Sequence, residues 1–301
     1  MSTELVLLGT AGAPMPVAGR GGIASALVVD DRIFVIDCGR GAPSAFVNAD
    51  LDFRSLESVF VTHLHADHIG DLPGMLLYPW GVRTGRDGPL PPIRVYGPGA
   101  TDLVQGILTT YGYHLKVMPL DARMPDPGGL VRAVDIRVPG PADGGPQKPV
   151  LVTQEDGVRV TTIAVTHGHV MPALAYRFDT PDGSVVFSGD TTVNADLIAL
   201  AQEADILVHC VGDLGYLELH GTTGDELEHM AGLHTDVTEV GGVAERARVQ
   251  EVILTHYLPA EPDAIGEAEW AAHVGTGFSG KTTAGRDGLR RVLARTGVHD
   301  S

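Results

Sequence analysis

The chain has 301 residues, 44% of them hydrophobic and 20% charged, which suits one large domain or two small ones around a sizeable buried core. Its formal net charge of −17 repels phosphate backbones in general, so nucleic acid is disfavoured as a partner without being excluded, because a local basic patch can still bind one. No apolar run reaches the length of a membrane span, Met1-Ser2-Thr3-Glu4 shows no signal-peptide pattern, and only Cys38 and Cys210 are present, so a protein of the reducing cytoplasm without disulfides is expected.

In chain order, Glu4 to Gly9 reads as a buried strand stopped by glycine, followed by a Gly- and Pro-rich loop to Ile23. Ala26–Val29 and Arg32–Ile36 read as a hairpin turned at Asp30-Asp31 and ended by Asp37-Cys38-Gly39. A short helix is expected at Ala42–Ala49, a strand at Val59–Thr62, a helix at Asp71–Leu77, a strand at Ile93–Tyr96 and a helix at Gly99–Thr110. Residues 112–158 carry one plausible strand, Val131–Val138, and a breaker-rich stretch, Pro139–Pro149; the segment reads as an insertion or flap within a single domain spanning 1–301. Strands then follow at Val158–Val165, Ala173–Phe178, Ser184–Ser188, Ile206–Val211 and Val252–Thr255. Helices are expected at Ala195–Glu203, Thr238–Ala247 and, terminally, Gly285–Thr296. Consecutive strands first and alternating helices later suit two sheets covered by helices on their outer faces.

Chemistry concentrates in His63-Leu64-His65-Ala66-Asp67-His68, directly after the apolar Val59-Phe60-Val61. Four metal-capable side chains in six residues exceed anything that packing requires, and imidazole with carboxylate suits zinc or a similar divalent ion. This cluster makes a metal-dependent hydrolase the leading expectation. His63 and His65 alternate along an extended segment and can share one metal, while Asp67 and His68 on the following turn face a second. Two metals with an open position for water need about seven protein donors, so the rest must come from remote segments. Asp190, in Ser188-Gly189-Asp190-Thr191, is the best remote carboxylate, although a turn aspartate capping the next helix has the same appearance. Val61-Thr62-His63, Val165-Thr166-His167 and Leu254-Thr255-His256 each end an apolar strand in Thr-His, which nominates His167 and His256; His169 follows closely.

The H-x-H-x-D-H segment, Ser188-Gly189-Asp190-Thr191 and Leu254-Thr255-His256-Tyr257 together resemble the metallo-β-lactamase superfamily. Leu8-Gly9-Thr10, Ile36-Asp37-Cys38-Gly39, Leu72-Pro73-Gly74 and Pro172 to Phe178 look like its ribonuclease Z and arylsulfatase-like branch, over residues 5 to 293. The resemblance implies an αββα four-layer sandwich of the α/β (α+β) class with two metals at its edge. It implies His63, His65 and a later histidine on one metal, with Asp67, His68 and His256 on the other and Asp190 between them. His167 is preferred as the later histidine; His169, whose spacing to Tyr176 also matches, is the alternative ligand or a support beside the ligands. Two divalent ions are implied, zinc first, with Mn2+ or Fe2+ as alternatives. Many relatives are dimers, so a homodimer is expected, with Leu76-Leu77-Tyr78-Pro79-Trp80 as a subunit contact.

One departure stands out. Where ribonuclease Z usually has His-Glu-Ala-Thr, this chain has His209-Cys210-Val211-Gly212, so the Glu that supports a catalytic histidine is missing, while that histidine survives as His234. No long basic, glycine-rich arm for transfer RNA is visible. The expected mechanism is metal-assisted hydrolysis by a bridging hydroxide, with Asp67 and His234 as the catalytic residues and His169 as the second candidate acid. The expected substrate is a small ester, lactone, sulfate ester or phosphodiester, in a pocket lined by Tyr78, Trp80 and Tyr216. The alternatives are a transfer-RNA 3′-end endonuclease and a non-hydrolytic metal-binding or redox protein on the same fold.

Overall fold

The computed structural model describes residues 2–83, 90–121, 127–139 and 146–294. The first sheet contains β1 (Thr3–Gly9), β2 (Ala24–Val29), β3 (Arg32–Ile36), β4 (Leu56–Phe60), β5 (Ile93–Gly97) and β6 (Val131–Asp135). The second contains β7 (Val150–Glu155), β8 (Val158–His167), β9 (Val170–Thr180), β10 (Gly183–Phe187), β11 (Ile206–Gly212), β12 (Glu251–Leu258) and β13 (Lys281–Ala284). The last strand, β14 (Arg290–Leu293), returns to the first sheet, giving the orders β14-β1-β2-β3-β4-β5-β6 and β13-β12-β11-β10-β9-β8-β7.

Both faces of the central strands are buried, and the period-2 alternation of side chains distributes them to two different cores. Leu5, Leu7, Leu27, Val29, Phe34 and Ile36 pack between the sheets. Their neighbours Val6, Leu8, Ala24, Ala26, Ile33 and Val35 pack outward, against Ala42 and Phe46 of helix Ala42–Asn48 and the helices beyond it. The second sheet repeats the scheme. Ile206, Val208 and Ile253 face inward, while Leu207, Val211, Val252 and Leu254 pack with Val240, Val243, Ala244 and Ala247 of helix Val237–Ala247. The result is a four-layer αββα sandwich, with two mixed sheets flanked by helices.

Phe60 anchors the inter-sheet core, with ring centroids 4.9 Å from Tyr96, 5.5 Å from Tyr176 and 5.0 Å from Phe178. Next to it the sheets are stitched by hydrogen bonds, Tyr176 Oη donating to Val61 O at 2.8 Å and Leu174 N to Thr62 O at 3.0 Å. These bonds fix the backbone immediately before His63.

Several expectations need correction. The terminal helix at Gly285–Thr296 is instead β14, which pairs antiparallel with β1, Leu293 opposite Thr3; residues 295–296 lie outside the described residues. Pairing with a pre-existing edge outweighs a local helical pattern. The segment expected as an insertion at 112–158 contains helix Gly112–Asp121 and supplies one edge strand to each sheet, β6 beside β5 and β7 beside β8. Residues 140–145 of the expected breaker-rich stretch lie outside the described residues. In the proposed subunit contact, Leu76, Leu77, Pro79 and Trp80 are buried within the chain and only Tyr78 is exposed, because helix Leu72–Leu77 turns its apolar side to the core. Trp80 is therefore not a pocket-lining residue either.

Candidate metal centre

The donors arrive from several strand ends and loops of both sheets. β3 delivers Asp37, β4 leads through Thr62 to His63, β8 ends in His167, the turn after β10 carries Asp190, and β12 carries His256. Asp37 adopts the left-handed region at φ 58°, which turns its carboxylate back into the molecule. There it accepts Thr62 N, Thr62 Oγ1 and His68 Nδ1, each at 2.8 Å. His256 is also left-handed, at φ 52°, a strained conformation of the kind that persists where surrounding structure enforces it. Gly12 is what permits the close approach there, since a Cβ at that position would sit 2.8 Å from His256 Nδ1.

Two groups of donor atoms converge. His63 Nε2 and His167 Nε2 lie 3.0 and 3.2 Å from His65 Nδ1. His68 Nε2 and His256 Nε2 are 3.2 Å apart, with Asp67 Oδ2 3.4 Å from His256 Nε2. Asp190 Oδ2 lies between the groups, 3.3 Å from His68 Nε2, 3.1 Å from His256 Nε2 and 3.8 Å from His167 Nε2. Metal–nitrogen bonds of about 2.0–2.1 Å in tetrahedral array place donors roughly 3.3–3.4 Å apart, so these spacings fit bound ions.

The supporting hydrogen bonds agree with that use. A histidine that ligates a metal commonly donates its other N–H to a carboxylate or carbonyl. His68 Nδ1 does so to Asp37, and His167 Nδ1 to Leu233 O at 2.9 Å. Deprotonated at Nε2, as metal binding requires, each would present that lone pair to the cluster. The set is compatible with a dinuclear divalent metal site.

Electrostatics follow from burial and proximity. Burial alone would lower the pKa of His68, but Asp190 and Asp37 outweigh it and hold the imidazole well above its usual value. Burial would raise Asp190, yet His256 and His68 keep its carboxyl well below the usual range. His63 is pushed down by burial and by the neighbouring His68, and His167 by burial. His65 is exposed, so the group it completes opens to solvent.

The expected residues sort as follows. His63, His65, Asp67, His68, His167, Asp190 and His256 are all brought together. Asp190 does not cap the following helix; Asn194 does, accepting Asp196 N and Leu197 N. His169 is exposed in the β8–β9 turn, outside every donor group among the described residues. His234 is buried beside the cluster, with Nδ1 4.0 Å from Asp190 Oδ2 and its ring stacked on His256 at 5.3 Å. Burial pushes its pKa down to about 3, so it is neutral near neutrality. Its Nδ1 has no hydrogen-bond partner, and Cys210, at the motif position of the missing Glu, bonds to Thr191 O instead. Asp37, which supports the candidate ligand His68, was not nominated from the sequence. Its signal is an acidic residue at a strand end, in Ile36-Asp37-Cys38-Gly39, which marks the end of a hairpin and a family match without assigning the carboxylate a role.

A two-sheet sandwich with a buried His/Asp cluster across its edge defines a metal-dependent hydrolase class. The model of the metallo-beta-lactamase superfamily matches residues 18–241, and the chain belongs to that superfamily. It is 33% identical over 297 residues to Ribonuclease Z of Mycobacterium sp. (strain KMS), covering 98% of this chain and 97% of the relative. It is 30% identical to Ribonuclease Z of Mycobacterium bovis (strain BCG / Pasteur 1173P2), covering 96% and 97%. Among solved structures, the short form of human tRNase Z superposes with TM-score 0.69 at 19% identity, covering 96% of this chain and 99% of that one. The metallo-beta-lactamase fold protein YhfI of Bacillus subtilis gives TM-score 0.69 at 18% identity, covering 97% and 100%. No helix among the described residues is long and apolar enough to cross a membrane.

Proposed function

We propose that the chain is a ribonuclease Z-like endonuclease that hydrolyses a phosphodiester near the 3′ end of precursor transfer RNA, with two zinc ions held by the seven His and Asp donors. The observation that carries this reading is the 33% identity to a Ribonuclease Z across 98% of the chain. It replaces the small-ester expectation, for which the comparisons offer no support. His63, His65 and His167 would hold one ion and Asp67, His68 and His256 the other, with Asp190 shared. Bound there, the ions would ionise water at neutral pH and take up negative charge as it develops on the phosphoryl oxygens.

The chain's own residues do the rest. Asp67 gives one carboxylate oxygen to the donor set and has a second with which to orient the attacking water. His234, neutral and with Nδ1 unpartnered, can hydrogen-bond the attacking water or the leaving oxygen. No carboxylate supports His234 as the missing Glu would, so Asp190, 4.0 Å away, is the acidic group nearest to that role.

A second reading, a small phosphodiester as substrate, is favoured by the net charge of −17 and by Asp225, Glu226 and Glu228 in the first turn of helix Asp225–Ala231, which runs toward Leu233 and His234. The deciding experiment incubates the zinc-loaded full chain with precursor transfer RNA and, separately, with bis(p-nitrophenyl) phosphate, using His63→Ala as control. Release of a 3′ trailer supports the endonuclease. Turnover of the small diester with intact RNA overturns it in favour of the second reading.

A further inference from the structure

We propose that Arg40 is an anion clamp, binding a substrate phosphate that flanks the scissile bond in a cleft on the Asp67 side of the metal centre. The assignment rests on the phosphodiester reading above and names a residue that reading does not use. A cleft of about 250 Å³ is bounded by Ala13, Pro14, Gly22, Arg40, Asp67 and Asp71, among others. It therefore shares a wall, Asp67, with the donor cluster. Its other wall is the Gly- and Pro-rich loop after β1, held against the site by Tyr257 N donating to Thr10 O at 3.0 Å and Gly12 N to Tyr257 O at 3.2 Å.

Among the described residues lining the cleft, Arg40 is the one cation. Its Nη2 donates to Arg20 O at 2.9 Å, which fixes the guanidinium, and no carboxylate pairs with it among the described residues. Guanidinium has five N–H donors, so most remain free for a phosphate. The backbone beneath it is equally fixed, Gly22 N donating to Arg40 O at 2.8 Å. The two carboxylates of the cleft are already engaged. Asp67 faces His256, and Asp71 Oδ2 accepts Gly41 N at 2.6 Å. In a chain with 38 acidic and 21 basic residues, an unpaired and half-buried arginine beside the reaction centre is a directed feature, because general surface charge works against an anionic substrate.

The test compares the zinc-loaded full chain with Arg40→Ala and Arg40→Lys. Isothermal titration with inorganic phosphate should show about tenfold weaker binding in Arg40→Ala and partial retention in Arg40→Lys, as expected for loss of charge-assisted hydrogen bonds. The ratio of KM for precursor transfer RNA, which carries flanking phosphates, to KM for bis(p-nitrophenyl) phosphate, which carries only the scissile one, should rise by about the same factor in Arg40→Ala. Unaltered phosphate binding overturns the proposal. So does an equal loss on both substrates, or a loss that tracks lower zinc content, either of which would make Arg40 part of the scaffold. If the unsubstituted chain hydrolyses no phosphodiester, the functional reading falls, while the phosphate titration still judges Arg40.

Discussion

Asp37 Oδ2 lies 2.8 Å from His68 Nδ1, so a carboxylate at the end of β3 orients an imidazole 31 residues further on. The same carboxylate accepts both Thr62 N and Thr62 Oγ1, and thereby also fixes the backbone entering His63. Asp37→Asn should weaken zinc binding about 10- to 100-fold, the usual loss when a ligand's supporting partner is removed. Competition against a chromogenic chelator measures this, and affinity equal to that of the unsubstituted chain would refute the role.

His167 and His169 make opposite predictions although two residues apart. His167 Nε2 is 3.2 Å from His65 Nδ1, whereas His169 is exposed in the hairpin turn. Elemental analysis of His167→Ala should show about one ion per chain lost at limiting metal, and His169→Ala should keep the full content. Equal content in the two variants would remove His167 from the donor set.

Gly12 is required by space. A Cβ there would sit 2.7 Å from Tyr257 O and 2.8 Å from His256 Nδ1. Gly12→Ala should cost about 1–3 kcal/mol by overpacking and should weaken metal binding through displaced His256. Gly242, in helix Val237–Ala247, would meet nothing within 4 Å, so Gly242→Ala should stabilise by about 0.5–1 kcal/mol. Thermal melts of the two variants read both effects; a tolerated alanine at position 12 would count against the crowded arrangement around His256.

His209 controls part of the acid stability. It is fully buried, its Nε2 has no partner, and burial pushes its pKa from 6.5 down to about 4. The unfolded chain therefore takes up a proton at higher pH than the folded chain. The contribution of His209 is complete above pH 6.5 and is lost as pH falls toward 4, about 3 kcal/mol in all. His209→Leu should flatten the stability profile in that window. Denaturant melts from pH 7 to pH 4 test it, and an unchanged slope would contradict the assignment.

The sequence by itself nominated the candidate metal donors and most of the strands, though not β7, β13 or β14. Seven candidate donors could be named because four fall in six consecutive positions, His167 and His256 end apolar strands in Thr-His, and Asp190 follows a strand by one tight turn. The alternation of Leu5 and Leu7 against Val6 and Leu8 likewise announced buried strands, though not that the two sets enter different cores. Tertiary structure alone decided what depends on contacts between distant segments. It set His167, already preferred to His169, among the candidate donors and left His169 exposed, because strand register sets which imidazole faces inward. It made Asp37 a support for His68 through a left-handed turn that no spacing rule encodes. It turned Arg290–Leu293 into a strand, since only the free edge of β1 offers that segment its hydrogen bonds. Local pattern fixes a residue's chemistry and periodicity, whereas orientation and partnership arise from packing, which couples residues far apart along the chain.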